Sequence, residues 1–247
     1  MPDSTTLQVL TILLLLLVIV ANAVARRTTR AQRPISAMEA LPQLVSRSIE
    51  TNRPLHMAMG GFDLGDQETL LALAAADAFY ESARRLSLSD APPIVTIGSS
   101  TTLQIARDML RRAHLRSPLG SQPRLYNVRW YPDTGFTMVS AFSVMDNDDQ
   151  LAGQVLAGRG GPELALPLWG AELRHTPTIV AATRPSGQAV GYALADHVLI
   201  GEELFAVPGY MDEQSPLRQR TLVIDIVRLM LVLLLIAAFS VNVLRQG

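Results

Sequence analysis

Two long apolar segments lie at opposite ends of this 247-residue chain, and most of its polar residues lie between them. The first, Leu7–Ala25, contains 19 residues without a charge. A helix of that length, rising about 1.5 Å per residue, matches a hydrocarbon core of roughly 30 Å. We therefore expect a transmembrane helix at residues 7–25. A cleaved signal peptide is the alternative, because Ala21-Asn22-Ala23 resembles a cleavage site, but the arginines follow the apolar core instead of preceding it.

The second segment predicts a transmembrane helix over residues 222–244. Asp225 and Arg228 stand three residues apart on one helix face, so they can neutralise each other while Arg228 extends towards the headgroups. We interpret them as an interfacial ion pair; a proton or subunit contact inside the membrane is the alternative. The small and polar residues between Ala237 and Asn242 predict helix–helix packing, and hence a homo-oligomer or a larger membrane complex.

Arginine placement predicts the orientation of both helices. Seven arginines flank the apolar segments on the side of the central region, and one, Arg245, lies beyond the second segment. By the positive-inside rule, the central region is cytoplasmic and both termini are outside. The predicted organisation is a membrane helix at 7–25, a basic segment with a linker helix at 26–54, a domain at 55–211, a linker at 212–221 and a membrane helix at 222–244.

The chain contains neither cysteine nor lysine, and this excludes several classes of site. A Walker-type lysine, a Schiff-base lysine, a cysteine nucleophile, a thiolate zinc site and an iron–sulfur cluster all need one of these residues. Between Pro34 and Leu217 there are 13 arginines and 20 acidic residues. Nucleic acid is an unsuitable partner for such an acidic region, because phosphate neutralisation needs a basic face.

The central region alternates short β-rich runs with helical stretches, which is typical of a parallel sheet covered on both faces. We predict a Rossmann-like three-layer α/β sandwich. The hydroxyl-rich run Ser99-Ser100-Thr101-Thr102 is expected to cap the third predicted helix. The predicted strands are Leu55–Met59, Pro93–Ile97, Leu125–Tyr131, Leu151–Ala157, Thr178–Thr183 and His197–Ile200, and the predicted helices are Ser36–Thr51, Glu68–Leu86, Thr101–Ala113, Gly135–Asp146, Pro162–Leu173, Gln188–Ala195 and Glu202–Met211, the last broken at Pro208-Gly209.

The ligand site of such a sheet is expected beyond the carboxyl ends of the strands. The loop from Gly158 to Gly161 is the strongest candidate, because glycines allow close backbone approach and Arg159 and Arg184 can bind an anion. A phosphate-containing ligand is the expected occupant, although the same glycines also suit tight turns. The candidate ligand-binding residues are Gly60, Gly61, Gly98, Ser99, Ser100, Gly158, Arg159, Gly160, Gly161, Arg184 and Glu202.

No catalytic constellation is apparent in the sequence. The four histidines do not have metal-ligand spacing, and His56 and His197 begin predicted strands, away from the expected crevice. No G-x-S-x-G or G-x-G-x-x-G motif is present. We therefore expect no catalytic residue, no metal and no evident cofactor.

Three segments carry a family resemblance: RPLHMAMGG, PPIVTIGSSTTLQIARDMLRRA and HVLIGEELFAVPGYM. In these the chain resembles an uncharacterised family of membrane-anchored bacterial domains from filamentous green non-sulfur bacteria and their relatives. The resemblance covers nearly the whole chain and implies a membrane helix, a Rossmann-like domain and a second membrane helix, located in the bacterial inner membrane. It implies no activity.

The preferred hypothesis is a membrane-anchored, non-enzymatic scaffold, sensor or accessory subunit of a membrane complex. The alternative is a tethered enzyme or sensor that binds a nucleotide or sugar phosphate at the carboxyl edge of the sheet. A channel or transporter component is the weakest hypothesis, because two helices enclose a pathway only when they oligomerise.

Overall fold

The computed structural model describes residues 35–65, 68–87, 89–116, 127–134 and 136–211 of the central region, and residues 12, 15, 18–21, 23, 223 and 225–232 near the two ends. The chain divides into two compact units. One comprises Met1–Arg33 with Gln214–Gly247, and the other comprises Pro34–Glu213.

The central unit is built on six parallel strands, which lie across the sheet in the order β3 (Val128–Trp130), β2 (Ile94–Ile97), β1 (Leu55–Gly60), β4 (Gly153–Gly158), β5 (Thr178–Ala182) and β6 (His197–Val198). This confirms the predicted Rossmann-like α/β fold, and each predicted strand overlaps an observed one. Two 3₁₀ helices lie at Pro162–Leu164 and Gly201–Ala206. In chain order the elements are α1 (Ser36–Thr51), β1 (Leu55–Gly60), α2 (Thr69–Leu86), β2 (Ile94–Ile97), α3 (Leu103–Leu115), β3 (Val128–Trp130), α4 (Thr137–Asp148), β4 (Gly153–Gly158), α5 (Ala165–Leu173), β5 (Thr178–Ala182), α6 (Pro185–Leu194), β6 (His197–Val198) and α7 (Val207–Met211).

The central strands are buried on both faces because their side chains alternate between two hydrophobic cores. Met57 of β1 and Val155 of β4 belong to the core that α1, α2, α3 and α7 cover. Their neighbours Ala58 and Leu156 belong to the core that α4, α5 and α6 cover. The result is three layers, with α2 and α3 on one face of the sheet and α5 and α6 on the other.

Two local predictions were wrong at helix ends. Pro208 and Gly209 do not break the last helix but lie inside α7. Pro208 is the second residue of that helix, where a backbone N–H has no intrahelical partner to lose. The hydroxyl run does not cap α3 itself, which begins at Leu103: Thr102 makes no side-chain cap, and its hydroxyl instead donates to the carbonyl of Ser99 at 2.9 Å. The hydroxyl of Ser99 accepts from the N–H of Thr101, the first residue of the predicted helix, at 3.3 Å.

The unit formed by the terminal segments is helical where it is described, at residues 18–21 and 225–232. Among the described residues, no helix has both the length and the apolar composition needed to cross a membrane. Most of the predicted membrane helices, the small-residue run from Ala237 to Asn242 and the linker at 212–221 lie outside the described residues. Asp225 and Arg228 are described; they lie one helical turn apart and are both exposed.

Candidate functional site

The carboxyl ends of β1 and β4 mark the point where the strand order reverses, which is where Rossmann-like sheets bind ligands. The structure brings the predicted glycines together there. The space that a Cβ on Gly98 would occupy is 2.5 Å from the backbone nitrogen of Gly61. Asp133, which follows β3, covers the same point, since its Oδ2 is 2.3 Å from the Cβ position of Gly61. The candidate site is therefore a compact junction of loops.

The glycines at this junction serve contacts within the protein. A Cβ on Gly158 would lie 1.9 Å from the carbonyl oxygen of Gly60, and a Cβ on Gly187 would lie 2.0 Å from that of Gly160. Non-bonded carbon and oxygen atoms cannot approach so closely, so each position requires glycine. The close backbone approach that the sequence suggested for a ligand is made here by the chain's own loops.

Arg159, the predicted anion ligand, faces two carboxylates. Its Nε lies 3.2 Å from Oε2 of Glu68, and its Nη2 lies 3.9 Å from Oδ2 of Asp133. Its backbone N–H donates to the carbonyl of Gly60 at 3.0 Å. A phosphate at this position would have to displace these carboxylates and would be repelled by them.

The loop amide nearest the following helix also has an internal acceptor. The N–H of Gly161 donates to Oε1 of Glu163 at 2.8 Å. Backbone N–H groups at the start of a helix are the donors that a bound phosphate uses. Here the carboxylate of Glu163, itself an anion, already accepts the hydrogen bond from one such N–H.

Among the described residues, the cavity at the junction is small. A cavity of about 20 Å³ lies under the loops, and Gly60, Met138, Phe142, Gly158 and Leu164 are among the residues that line it. A cavity needs a volume of roughly 10–15 Å³ to hold one water molecule. The cavity therefore has room for about one water, whereas a nucleotide needs several hundred Å³.

Sequence reasoning named Ser99 but missed the polar cluster to which it belongs, which is centred on Asp63 in the loop after β1. Its Oδ1 accepts hydrogen bonds from the hydroxyl of Thr101, from the hydroxyl of Ser99 at 3.1 Å and from the N–H of Leu64 at 2.8 Å. These hydrogen bonds favour the charged carboxylate and hold the pKa of Asp63 below its usual value, with the largest effect from Thr101, followed by Ser99 and Leu64. The only sequence signal for this cluster was that Asp63 follows the first predicted strand while the hydroxyl run Ser99–Thr102 follows the second, which is its neighbour in the sheet.

The other predicted residues contribute less to the junction. Ser100 is exposed, and its carbonyl accepts from the N–H of Leu103 at 3.3 Å. Arg184 is exposed at the start of α6. Glu202 lies in the 3₁₀ helix before α7, and its side chain is outside the described part of the chain.

His56 is fully buried on β1 and links three strands. One ring nitrogen, Nε2, lies 2.9 Å from the hydroxyl of Thr96, and the other, Nδ1, lies 3.4 Å from Oε1 of Gln154. Burial lowers the pKa of His56 to about 4. His197, in contrast, is half-buried, and its Nδ1 has no hydrogen-bond partner among the described residues. Within that same part of the chain, no group of three or more His, Asp or Glu side chains has the geometry of a metal site.

Residues 2–246 match the model of one family, the domain of unknown function DUF6754. The chain therefore belongs to this family. No curated protein and no solved structure matches the chain.

Proposed function

We propose that this DUF6754 member is a two-pass protein of the bacterial inner membrane whose cytoplasmic Rossmann-like domain acts as a non-catalytic scaffold, sensor or accessory subunit of a membrane complex. The observation that carries this proposal is that the protein's own groups fill the crevice at the carboxyl ends of β1 and β4. Among the described residues, the N–H of Gly161, the close approaches at Gly158 and Gly187 and the side chain of Arg159 all involve groups of the same chain, and the cavity beneath these loops has a volume of about 20 Å³.

Membrane anchoring is supported by the terminal segments. Many of the large apolar side chains described in these segments are exposed, including Ile12 at 67%, Ile19 at 59% and Leu229 at 61%, while Val223, Ile226 and Val227 are partly exposed. Such exposure is unfavourable in water and favourable in a bilayer or against another helix. The arginine-rich flanks supply the orientation.

The alternative is a domain that binds a nucleotide or sugar phosphate at the same edge. It requires Arg159 to leave Glu68 and Asp133, and it requires Glu163 to release the N–H of Gly161. Exchanging several internal contacts for one ligand lowers the net affinity, because each released carboxylate must be resolvated or paired again.

We expect ATP, GTP, NAD and sugar phosphates at millimolar concentration to leave the melting temperature of the full chain in mild detergent unchanged. A ligand present at 100 times its Kd would stabilise the native state by about 2.7 kcal/mol. For a domain of this size that corresponds to a shift of about 5–10 °C. The measurement is thermal unfolding followed by tryptophan fluorescence.

The matched variant for this experiment is Arg159→Ala. We expect it to change the unliganded stability by no more than about 1 kcal/mol, because the arginine is partly exposed. The control is Arg47→Ala, at an exposed arginine on α1 outside the candidate site. A ligand-dependent increase in melting temperature that Arg159→Ala removes and Arg47→Ala retains would replace the scaffold with the phosphate-binding alternative.

A further inference from the structure

The outer side of α3 carries a cluster of positive charge. The helix and its C-cap residue contain four exposed arginines and one acidic residue, Asp108. With His114 neutral, their formal net charge is +3, although acidic residues outnumber arginines by 20 to 13 between Pro34 and Leu217. The four exposed arginines, which we call the α3 arginines, are Arg107, Arg111, Arg112 and Arg116.

Ion pairs within the helix do not neutralise this cluster. Arg111 lies 2.8 Å from the carboxylate of Asp108, and Arg112 contacts the same carboxylate, so two positive charges share one negative charge. Arg107 and Arg116 have no ion-pair partner among the described residues. Most of the positive charge of α3 therefore faces solvent without compensation.

The neighbouring helix α2 adds little negative charge. Its Glu81 is already paired with Arg84 at 2.9 Å. Asp77 is exposed and lines the groove between the two helices, to which α3 contributes Arg112 and Arg116. One further aspartate does not balance a charge of +3, so the surface that α2 and α3 form together keeps an excess of positive charge.

Two large apolar side chains lie on the same side of the sheet as these arginines. Leu115 is 68% exposed at the carboxyl end of α3, and Trp130 is 55% exposed on the edge strand β3. Side chains alternate along a strand, and Val128 packs against the core that α3 covers, so Trp130 lies on the α3 side of the sheet. Exposed tryptophan and leucine beside arginines are typical of surfaces that lie in the interfacial region of a bilayer.

The two ends of the central unit also lie on this side of the sheet. The first helix, α1, and the last, α7, contribute residues to the core that α3 covers. Ten residues separate each of these helices from the expected membrane helices at 7–25 and 222–244. An extended chain advances at most about 3.6 Å per residue, so ten residues keep each end within roughly 36 Å of the bilayer. The side of the sheet that carries α3 is thus the side favoured to face lipid.

We propose that the α3 arginines dock on the anionic lipid headgroups of the bilayer, with Leu115 and Trp130 at the level of the headgroups. Guanidinium groups bind phosphate oxygens through paired hydrogen bonds, and each arginine near an anionic surface strengthens association about fivefold. The contact fixes the orientation of the domain and leaves the face covered by α4, α5 and α6 directed towards the cytoplasm. The proposal rests on the proposed function, because the anchors bring α3 close to lipid.

The chain contains no cysteine, so a single fluorescent label can report this contact in the full chain. Gln104→Cys places the label at an exposed position of α3, and Ala189→Cys places it at an exposed position of α6 on the opposite face. Each labelled chain is reconstituted in vesicles that carry a nitroxide quencher on lipid headgroups. The vesicles consist either of phosphatidylcholine and phosphatidylglycerol in equal parts or of phosphatidylcholine alone.

We expect strong quenching at residue 104 in the anionic vesicles and weak quenching there in phosphatidylcholine. The label at residue 189 is expected to be weakly quenched in both. About 1 M salt is expected to reduce the quenching at residue 104, because the Debye length then falls to about 3 Å.

Arg107→Gln combined with Arg116→Gln removes two positive charges and is expected to weaken the contact about 25-fold, from a factor of about five for each charge. The matched control is Arg107→Lys with Arg116→Lys, which keeps both charges and is expected to keep the quenching. Equal quenching of residue 104 in both kinds of vesicle, equal quenching at both labelled positions, or equal quenching in the glutamine and lysine variants would overturn the proposal. Absence of quenching in anionic vesicles, with protection of the same label in native membranes, would assign the surface to an acidic protein and overturn it as well.

Flotation of the vesicles in a density gradient separates this proposal from the proposed function. If the chain floats with both kinds of vesicle but the quenching does not depend on the lipid, only the docking of α3 is contradicted. If the chain floats with the anionic vesicles alone, the membrane helices are contradicted and the lipid contact is supported. If the chain floats with neither, both are contradicted.

Discussion

Gly158→Ala is expected to lower the free energy of unfolding by about 3 kcal/mol or more, and this is the largest single effect that the structure predicts. The added Cβ would lie 1.9 Å from the carbonyl oxygen of Gly60 and 3.0 Å from its Cα. Both atoms belong to the backbone at the end of β1, so no side chain can rotate away. Relieving the clash therefore requires β1 and β4 to move apart at this end. That movement would also weaken the hydrogen bond from the backbone N–H of Arg159 to the carbonyl of Gly60. Urea unfolding of the full chain in mild detergent measures the loss.

The matched control for this substitution is Gly170→Ala within α5. There the new Cβ would meet only the guanidinium of Arg174, with the nearest atom at 3.2 Å, and that side chain can adjust. Alanine is favoured over glycine in a helix interior by roughly 0.5–1 kcal/mol, so this variant is expected to be neutral or slightly more stable. Equal stability losses for the two variants would contradict the close contact between the ends of β1 and β4.

The second large effect is a dependence of stability on pH that comes from His56. Burial lowers the pKa of His56 from 6.5 to about 4 in the folded protein. Between these values the unfolded chain binds a proton that the folded chain does not. Stability therefore rises as pH increases from about 4 to 6.5 and is lost as pH falls through that range. The full difference is roughly 3 kcal/mol.

Asp146 opposes part of this effect. Its side chain is almost fully buried; burial raises its pKa, although the hydroxyl of Thr176 donates to it at 2.9 Å and Arg174 lies 3.7 Å away. The folded chain therefore binds the Asp146 proton more tightly than the unfolded chain, and this contribution falls as pH rises above the usual aspartate value. The observed slope of the free energy of unfolding against pH is the difference between the His56 and the Asp146 contributions.

His56→Gln separates them, because glutamine does not titrate and retains a group that can bond to Thr96. We expect the variant to lose the increase in stability between pH 4 and 6.5 and to show the Asp146 contribution alone. The control is His175→Asn, an exposed site with a φ of 54° that asparagine accepts. The measurement is the unfolding midpoint of each variant across this pH range. If the midpoint of His56→Gln changes with pH as much as that of the unmodified protein, His56 is not the source of the pH dependence.

The fold could be predicted from local signals, because the buried strands are short β-rich runs bounded by turn residues. The ends of some elements could not be predicted. Pro162 begins a 3₁₀ turn before α5, and Pro185 starts α6 three residues before the predicted Gln188. Proline suits the first position of a helix, but whether the turn continues depends on packing that the local sequence does not encode.

The candidate site was harder to predict than the fold. Glycines after β1 and β4 indicated the right edge of the sheet, but their neighbours come from distant parts of the chain. Glu68 reaches Arg159, and Asp133 covers Gly61, only after the sheet has assembled. The exposed apolar side of α5 could not be predicted for a similar reason. Leu168 is buried while Trp169 is exposed, and the sequence of an apolar helix does not show which of its sides packs against the sheet.

The central claim is a membrane-anchored domain that faces the cytoplasm, and a pair of topology reporters tests it most directly. Alkaline phosphatase fused after Gly247 should be active, because the carboxyl terminus is expected outside. The same enzyme inserted at Ser121 should be inactive, whereas green fluorescent protein inserted there should fluoresce, because that position is expected in the cytoplasm. Phosphatase activity at both positions, or at neither, would contradict the two-helix anchor and the cytoplasmic scaffold that depends on it.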